Sequence, residues 1–338
     1  MTMYERLALD HTPELQFGDR SAADFDAWKT ETLPRVIATL QDFPPRVGPN
    51  PQLMAEWTHD GLRKQRWLLD MGPHISASLL INYPATAEAC PAILCWHGHG
   101  AHGKEPVMGN DGSSEMRDAI KNFNYSYGHQ MAKDGFVTFG IDWLGAGERN
   151  DGKIHNGSRS AGARDWCNVL YLHATMLGMT SLSINVQHGR AATDFVLDLP
   201  EVCGEKIGVM GLSGGGTMAL WSSLCDERVG ATEIICYSQL WEQFGLRDNN
   251  YCGMQVAPGL YKLVDLPDLQ GLLAPRPLLV DIGAYDSCFG VDGAMVCYHQ
   301  VETIYKAAGA VNNLELDLFG GEHSWGGNKS VAFFTKHL

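Results

Sequence analysis

The feature that most constrains this chain is a serine set among glycines, Gly211-Leu212-Ser213-Gly214-Gly215-Gly216, lying between an apolar run and a helical one. Residues 206–211 read as a buried strand, and residues 218–225 as a helix that follows at once. A strand-to-helix turn this tight needs strained backbone angles, and Gly211 and Gly215 remove the Cβ atoms that would clash there. The pattern fits G-x-S-x-G, in which the serine projects from the turn as a nucleophile. The amide of the following residue, here Gly214, then faces a reacting carbonyl. With 38 glycines in the chain such a pattern also arises by chance, so the flanking strand and helix carry its weight.

Short apolar strands alternate with helices through most of the sequence. Residues 92–96, 136–141, 233–237, 277–282 and 314–319 read as strands, and residues 184–197 and 293–308 have helical periodicity. Continuous apolar strands alternating with helices predict an α/β fold with a mostly parallel central sheet covered on both faces. A hairpin, 63–70 with 74–83 around Met71-Gly72-Pro73, precedes it. Residues 1–60 are expected to form a helical extension, with one helix carrying Phe25 and Trp28 and a second opening at Pro34. Residues 61–338 then make the main domain, and 143–183 reads as an insertion over the sheet's carboxyl edge.

Composition narrows the function classes. There are 25 Lys and Arg against 39 Asp and Glu, a formal net charge of −14, which repels nucleic-acid phosphates and anionic lipid. No stretch approaches 18 uninterrupted apolar residues, and the first ten residues have no apolar signal-peptide core. The nine cysteines are scattered without a CxxC pair and read as reduced thiols. The expectation is a soluble cytoplasmic protein with neither nucleic acid nor membrane as partner.

A serine nucleophile needs a base oriented by an acid, and in this strand–turn–helix setting the order along the chain is serine, acid, histidine. Three histidines follow Ser213. His299 is mid-helix and His337 is penultimate, whereas His323 lies in a loop directly after the last strand. Asp281, Asp286 and Asp292 are the candidate acids. Asp281 sits too early, within a strand, and Asp292 suits a helix start, which leaves Asp286 in the loop between. The second oxyanion donor should come from His97-Gly98-His99-Gly100, as the amide of His99 or Gly100. A rival reading of His97, His99 and His102 as metal ligands lacks its acidic member, since Ala101 occupies that position. Cys288, two residues from Asp286, reads as packing. Trp143, Trp241 and Trp325 fall in segments near the sheet's carboxyl edge and are expected to line a pocket.

On these residues the chain resembles α/β-hydrolases of the dienelactone-hydrolase and acetyl-xylan-esterase-like branch. The resemblance runs from about Trp57 to the C-terminus through PAILCWHGHG (91–100), GIDWLGAGER (140–149), GVMGLSGGG (208–216), LPDLQGLLAPRPLL (266–279), Asp286 and GEHSW (321–325). It implies a Ser213–Asp286–His323 triad with His99 and Gly214 near the oxyanion, and no metal or cofactor. The chain departs from dienelactone hydrolases, whose nucleophile is cysteine. It departs from glucuronoyl esterases, which carry arginine where this chain has Gly214, and from the usual Asp-Pro acid turn, here Asp286-Ser287. The expected activity is hydrolysis of small acyl esters such as acetylated sugars. A serine peptidase of short peptides and a non-catalytic small-ligand binder are the alternatives, and homo-oligomerisation stays open.

Overall fold

The computed structural model describes residues 2–86, 88–150, 163–248 and 250–338. Nine strands form one sheet: β1 (Gln52–His59), β2 (Leu62–Gly72), β3 (Ile75–Tyr83), β4 (Cys90–Trp96), β5 (Val137–Ile141), β6 (Val202–Leu212), β7 (Val229–Ile235), β8 (Leu278–Gly283) and β9 (Leu314–Phe319). Their order is β1-β2-β3-β5-β4-β6-β7-β8-β9. The first three strands and the β3–β5 pair run antiparallel, and everything from β5 to β9 is parallel. This is the mostly parallel α/β sheet that the strand–helix alternation predicted, in the α/β-hydrolase arrangement that the resemblance implied.

Alternation along the central strands explains why both faces are covered. Ala92, Leu94 and Trp96 of β4 enter a core shared with the helices Phe25–Ala38, Ser181–Leu197, Gly214–Cys225 and Val291–Ala307. Ile93 and Cys95 face the other way, towards Val107, Tyr127, Met131, Phe333 and Phe334. Trp96 is fully buried, with its Nε1 donating to Ser222 Oγ at 3.1 Å.

Two local readings need correction. Residues 52–59 are not helical but form the edge strand β1, because its partner β2 supplies a ladder from Gln52↔Leu68 to His59↔Leu62. Its side chains are largely exposed, Leu53 and Met54 included, so the strand lacks the apolar alternation that would have marked it. Pro34 does not open a second helix. It lies inside one continuous helix, Phe25–Ala38, whose buried residues Phe25, Trp28, Thr32 and Val36 hold it together across the proline.

Within the anticipated insertion 143–183, the stretch 151–162 lies outside the described residues. The described part contains the helix Ala163–Met176 and the start of the helix Ser181–Leu197. Among the described residues, no helix is long and apolar enough to cross a membrane.

Candidate active site

Parallel strands direct their carboxyl ends to one edge, and the predicted residues gather there. Trp96, at the end of β4, pairs with Gly211 near the end of β6, which brings the His97–Gly100 loop beside Ser213. Ser213 has φ 61° and ψ −120°, a left-handed conformation that a side chain adopts only under constraint. The constraint is close packing. A Cβ on Gly211 would come within 2.3 Å of Gly215 O, one on Gly215 within 2.3 Å of Trp96 O, and one on Gly216 within 2.6 Å of Tyr237 Cβ. The amide of Ser213 donates to Ile235 O at 2.9 Å, which ties the turn to β7.

Asp286 follows β8 and His323 follows β9. The amides of Cys288 and Phe289 donate to Asp286 Oδ1 at 2.7 and 2.9 Å. That leaves Oδ2 for His323 Nδ1, at 2.8 Å. Burial opposes ionisation of Asp286, but the hydrogen bond and charge of His323, with the two amides, outweigh it and hold the carboxyl below its usual range. The imidazole lies parallel to the Phe289 ring, 8° between planes with centroids 5.6 Å apart. Its loop is pinned on the far side: Trp325 N donates to Phe123 O, and Trp325 Nε1 donates to the buried Glu233 carboxylate at 2.9 Å. Burial, against the hydrogen bonds from Ser330 and Trp325, pushes Glu233 up to about 7.

The loop after β4 is braced from beneath. Lys104 is fully buried and reaches Asp142 Oδ2 at 2.8 Å and Glu148 Oε2 at 2.7 Å, while its amide donates to Asp142 Oδ1. His97, also fully buried, accepts from Trp143 N, so its other nitrogen donates to Gly98 O at 2.7 Å. Burial keeps this ring neutral, its pKa lowered to about 4 despite nearby Asp142. The amide of Gly98 donates to Tyr125 Oη and is therefore occupied. Among the described residues, the amides of the next two positions, His99 and Gly100, have no hydrogen-bond acceptor. The amide of Gly214, at the first position of its helix, has no intrahelical acceptor.

Ser213 and His323 lie where two cavities meet. The larger, about 280 Å³, is walled by residues 98–103, Pro106, Glu115, Ala119, Phe123, Tyr125 and Leu212. The smaller, about 130 Å³, is walled by His99, Phe244, Asn250, Gln255, Cys288 and Phe289. His99 belongs to both.

The tryptophan expectation is overturned by these walls. Trp143, Trp241 and Trp325 are buried and line neither cavity. Trp143 packs edge-on against His99 behind Gly214, Trp325 anchors the histidine loop to Glu233, and Trp241 borders a separate hollow with Tyr251 and Tyr261. A large ring near a site finds more contact in the supporting layer than in the solvent-facing wall. The aromatic walls are instead Phe123, Tyr125, Phe244 and Phe289, which sequence reasoning passed over. Only Phe289 had a local signal, three residues after Asp286. The histidines 97, 99 and 102 do not converge: His97 is spent on Trp143 and Gly98, and His99 Nε2 meets Cys252 Sγ at 3.1 Å. Cys252 is held well below its usual range by a hydrogen bond from Cys167, with burial opposing and His99 assisting. Cys288 sits in the wall of the smaller cavity.

A family model described as the Abhydrolase family matches residues 2–318. The chain belongs to that family. Within curated sequences this Abhydrolase protein is 25% identical over 252 residues to YtaP of Bacillus subtilis (strain 168), a protein assigned as a hydrolase. The match covers 72% of this chain and 77% of YtaP. Among solved structures it is similar to a Bacteroides fragilis protein assigned as an acetyl xylan esterase, with TM-score 0.76 and 19% identity over 95% of this chain and 83% of that one. It is also similar to a glucuronoyl esterase from Solibacter usitatus, with TM-score 0.69 and 14% identity over 96% and 97% of the two chains. At these identities the structures establish the fold that the Abhydrolase assignment implies.

Proposed function

We propose that this Abhydrolase protein is a serine carboxylic-ester hydrolase acting on short-chain acyl esters of hydroxylated alcohols, acetylated sugars among them. The observation that carries the reading is the 2.8 Å His323–Asp286 pair opening onto the same two cavities as a serine held at φ 61°. In this reading Ser213 Oγ attacks the ester carbonyl while His323 Nε2 takes its proton. Asp286, kept ionised, fixes the Nδ1–H tautomer and stabilises the imidazolium. The amides of Gly214 and of His99 or Gly100 receive the oxyanion, each worth about 10²–10³ in rate. The alkoxide leaves with the proton from His323, and water releases the acyl group by the reverse sequence.

Wall chemistry supports the choice of substrate. Pro106, Ala119, Phe123 and Leu212 give the larger cavity an apolar lining suited to an acyl chain, and Asn250 and Gln255 put polar groups in the smaller one. Among the described residues no Arg or Lys lines either cavity, and Gly214 follows the serine, which disfavours substrates that keep a free carboxylate. The esterase assignments of the fold neighbours agree with this reading.

A panel of p-nitrophenyl acetate, butyrate and octanoate, peracetylated xylose, a uronate methyl ester and a peptide p-nitroanilide tests it. Turnover of acetate or butyrate and of the sugar acetate, above that of the anilide, is expected. Preference for the anilide would make the protein a peptidase, and no turnover of any compound would favour a ligand-binding role.

A further inference from the structure

His99 faces two ways. On one side its ring lies against the serine turn, where a Cβ on Gly214 would come within 3.0 Å of Nδ1. On the other, Nε2 meets Cys252 Sγ at 3.1 Å. Cys167, on the helix Ala163–Met176, completes the group: the imidazole nitrogen and both sulfurs all lie within 4.8 Å of one another. Three segments distant in sequence supply them, and both sulfurs are buried while His99 reaches the cavities.

We propose that His99 Nε2, Cys167 Sγ and Cys252 Sγ form a binding site for a soft divalent cation of the zinc type. Two sulfurs and an imidazole are the donors that such an ion prefers over magnesium or calcium. Tetrahedral zinc, with bonds near 2.3 Å to sulfur and 2.0–2.1 Å to nitrogen, places its donors roughly 3.5–3.8 Å apart. The observed 3.1 Å pair and the 4.8 Å limit bracket that spacing, so small side-chain rotations seat the ion. Both thiols give their protons to solvent as the ion binds. A disulfide between the two sulfurs would leave His99 Nε2 without its partner, whereas a cation engages all three groups. The similar cluster of Cys236, Asp286 and His323 is already committed, since His323 Nδ1 is held by Asp286 at 2.8 Å. An ion at the first site fixes His99 and its loop, and so lowers ester turnover. That last consequence alone rests on the hydrolase reading.

The test is cobalt titration of the full-length, chelator-stripped, reduced protein, followed by absorbance. One equivalent of Co²⁺ should give a thiolate-to-cobalt charge-transfer band and tetrahedral visible bands, both erased by Zn²⁺. Loss of an outer contact to a metal ligand typically costs 10–100-fold in affinity, so removing a ligand by Cys167→Ala or Cys252→Ala should cost more than about 100-fold. Cys252→Ser covers the case of an alanine variant that fails to fold, and Zn²⁺ should raise the wild-type melting temperature. Cys236→Ala should leave the cobalt spectrum intact. Absence of the band, its persistence in the Cys167 and Cys252 variants, or its loss in Cys236→Ala overturns the proposal. Because the readout is spectroscopic, an inactive protein would sink the hydrolase reading without altering this result.

Discussion

The two cavities that meet at Ser213 share, besides His99, a serine and a histidine and differ in how their walls are made. Apart from Leu212 and those two residues, the larger is built from one stretch of chain, residues 98–125. The smaller is assembled from separate pieces: the 244–255 segment, the Cys288-Phe289 turn and His99. A wall made from one stretch can change with little effect on the acid turn. The smaller cavity's Phe289 donates an amide to Asp286 and stacks on His323, so shape and chemistry are joined there. In the proposed ester hydrolase the larger cavity is therefore where chain-length preference would be set, and the smaller where substrate recognition and catalysis would be least separable.

Removing the shared centre should erase the difference between the cavities. Ser213→Ala is expected to lower kcat/KM by about 10⁴ or more on every ester while circular dichroism stays unchanged. Residual activity on only one substrate class would show that one cavity works without the serine. Asp286→Asn should cost about 10²–10⁴, since the amide no longer fixes the tautomer, and should affect acetate and octanoate alike. Unequal losses would mean that the turn also shapes the larger cavity.

Single-wall changes sharpen the contrast. Ala119→Phe fills the larger cavity and should reduce the octanoate-to-acetate ratio of kcat/KM at least about tenfold, a steric effect of a few methylenes. Asn250→Ala should raise KM for the sugar acetate roughly 3–10-fold, the loss of one hydrogen bond, with a smaller change for p-nitrophenyl acetate. If each variant shifted the other's substrate instead, the assignment of acyl and alcohol sides would be reversed.

The smallest effect concerns the layer beneath the histidine loop. Glu233 is held near pKa 7 by burial, above its unfolded value of about 4.5. The folded state keeps the proton that the unfolded chain has lost, so stability falls as pH rises from about 4.5 to 7. His97, lowered to about 4 by burial, acts oppositely and costs stability as pH falls from about 6.5 to 4. Glu233→Gln removes the part of the first dependence carried by this carboxyl, while Asp281 beside it, also raised by burial, keeps its own. Relative to wild type it should gain on the order of 1–3 kcal/mol between pH 5 and pH 8, read from urea melts at both values. A pH-independent difference would show that the Trp325 and Ser330 contacts, not the proton, decide that site.

The same division explains what was legible in the sequence. Ser213, Asp286 and His323 stood out in the sequence because each follows an apolar strand and stands in a glycine-marked or chain-order context. The loop after β4 was legible through its glycines, although the occupation of the Gly98 amide by Tyr125 was not, since a contact across 27 residues leaves no local trace. Strand β1 escaped because an exposed edge strand has no alternation to read. The cavity walls escaped for a related reason: Phe123, Phe244 and Phe289 look like ordinary core residues until the loops bring them together. The tryptophans were named from proximity in sequence to the edge, but size drew them into the supporting layer.

The most direct measurement of the central claim is labelling with a fluorophosphonate, followed by peptide mapping, on wild type and His323→Ala. The account predicts a single adduct on Ser213 that forms at least about 100-fold more slowly in the variant, because the general base is gone. An adduct on another residue, none in wild type, or equal rates in the two proteins would contradict it.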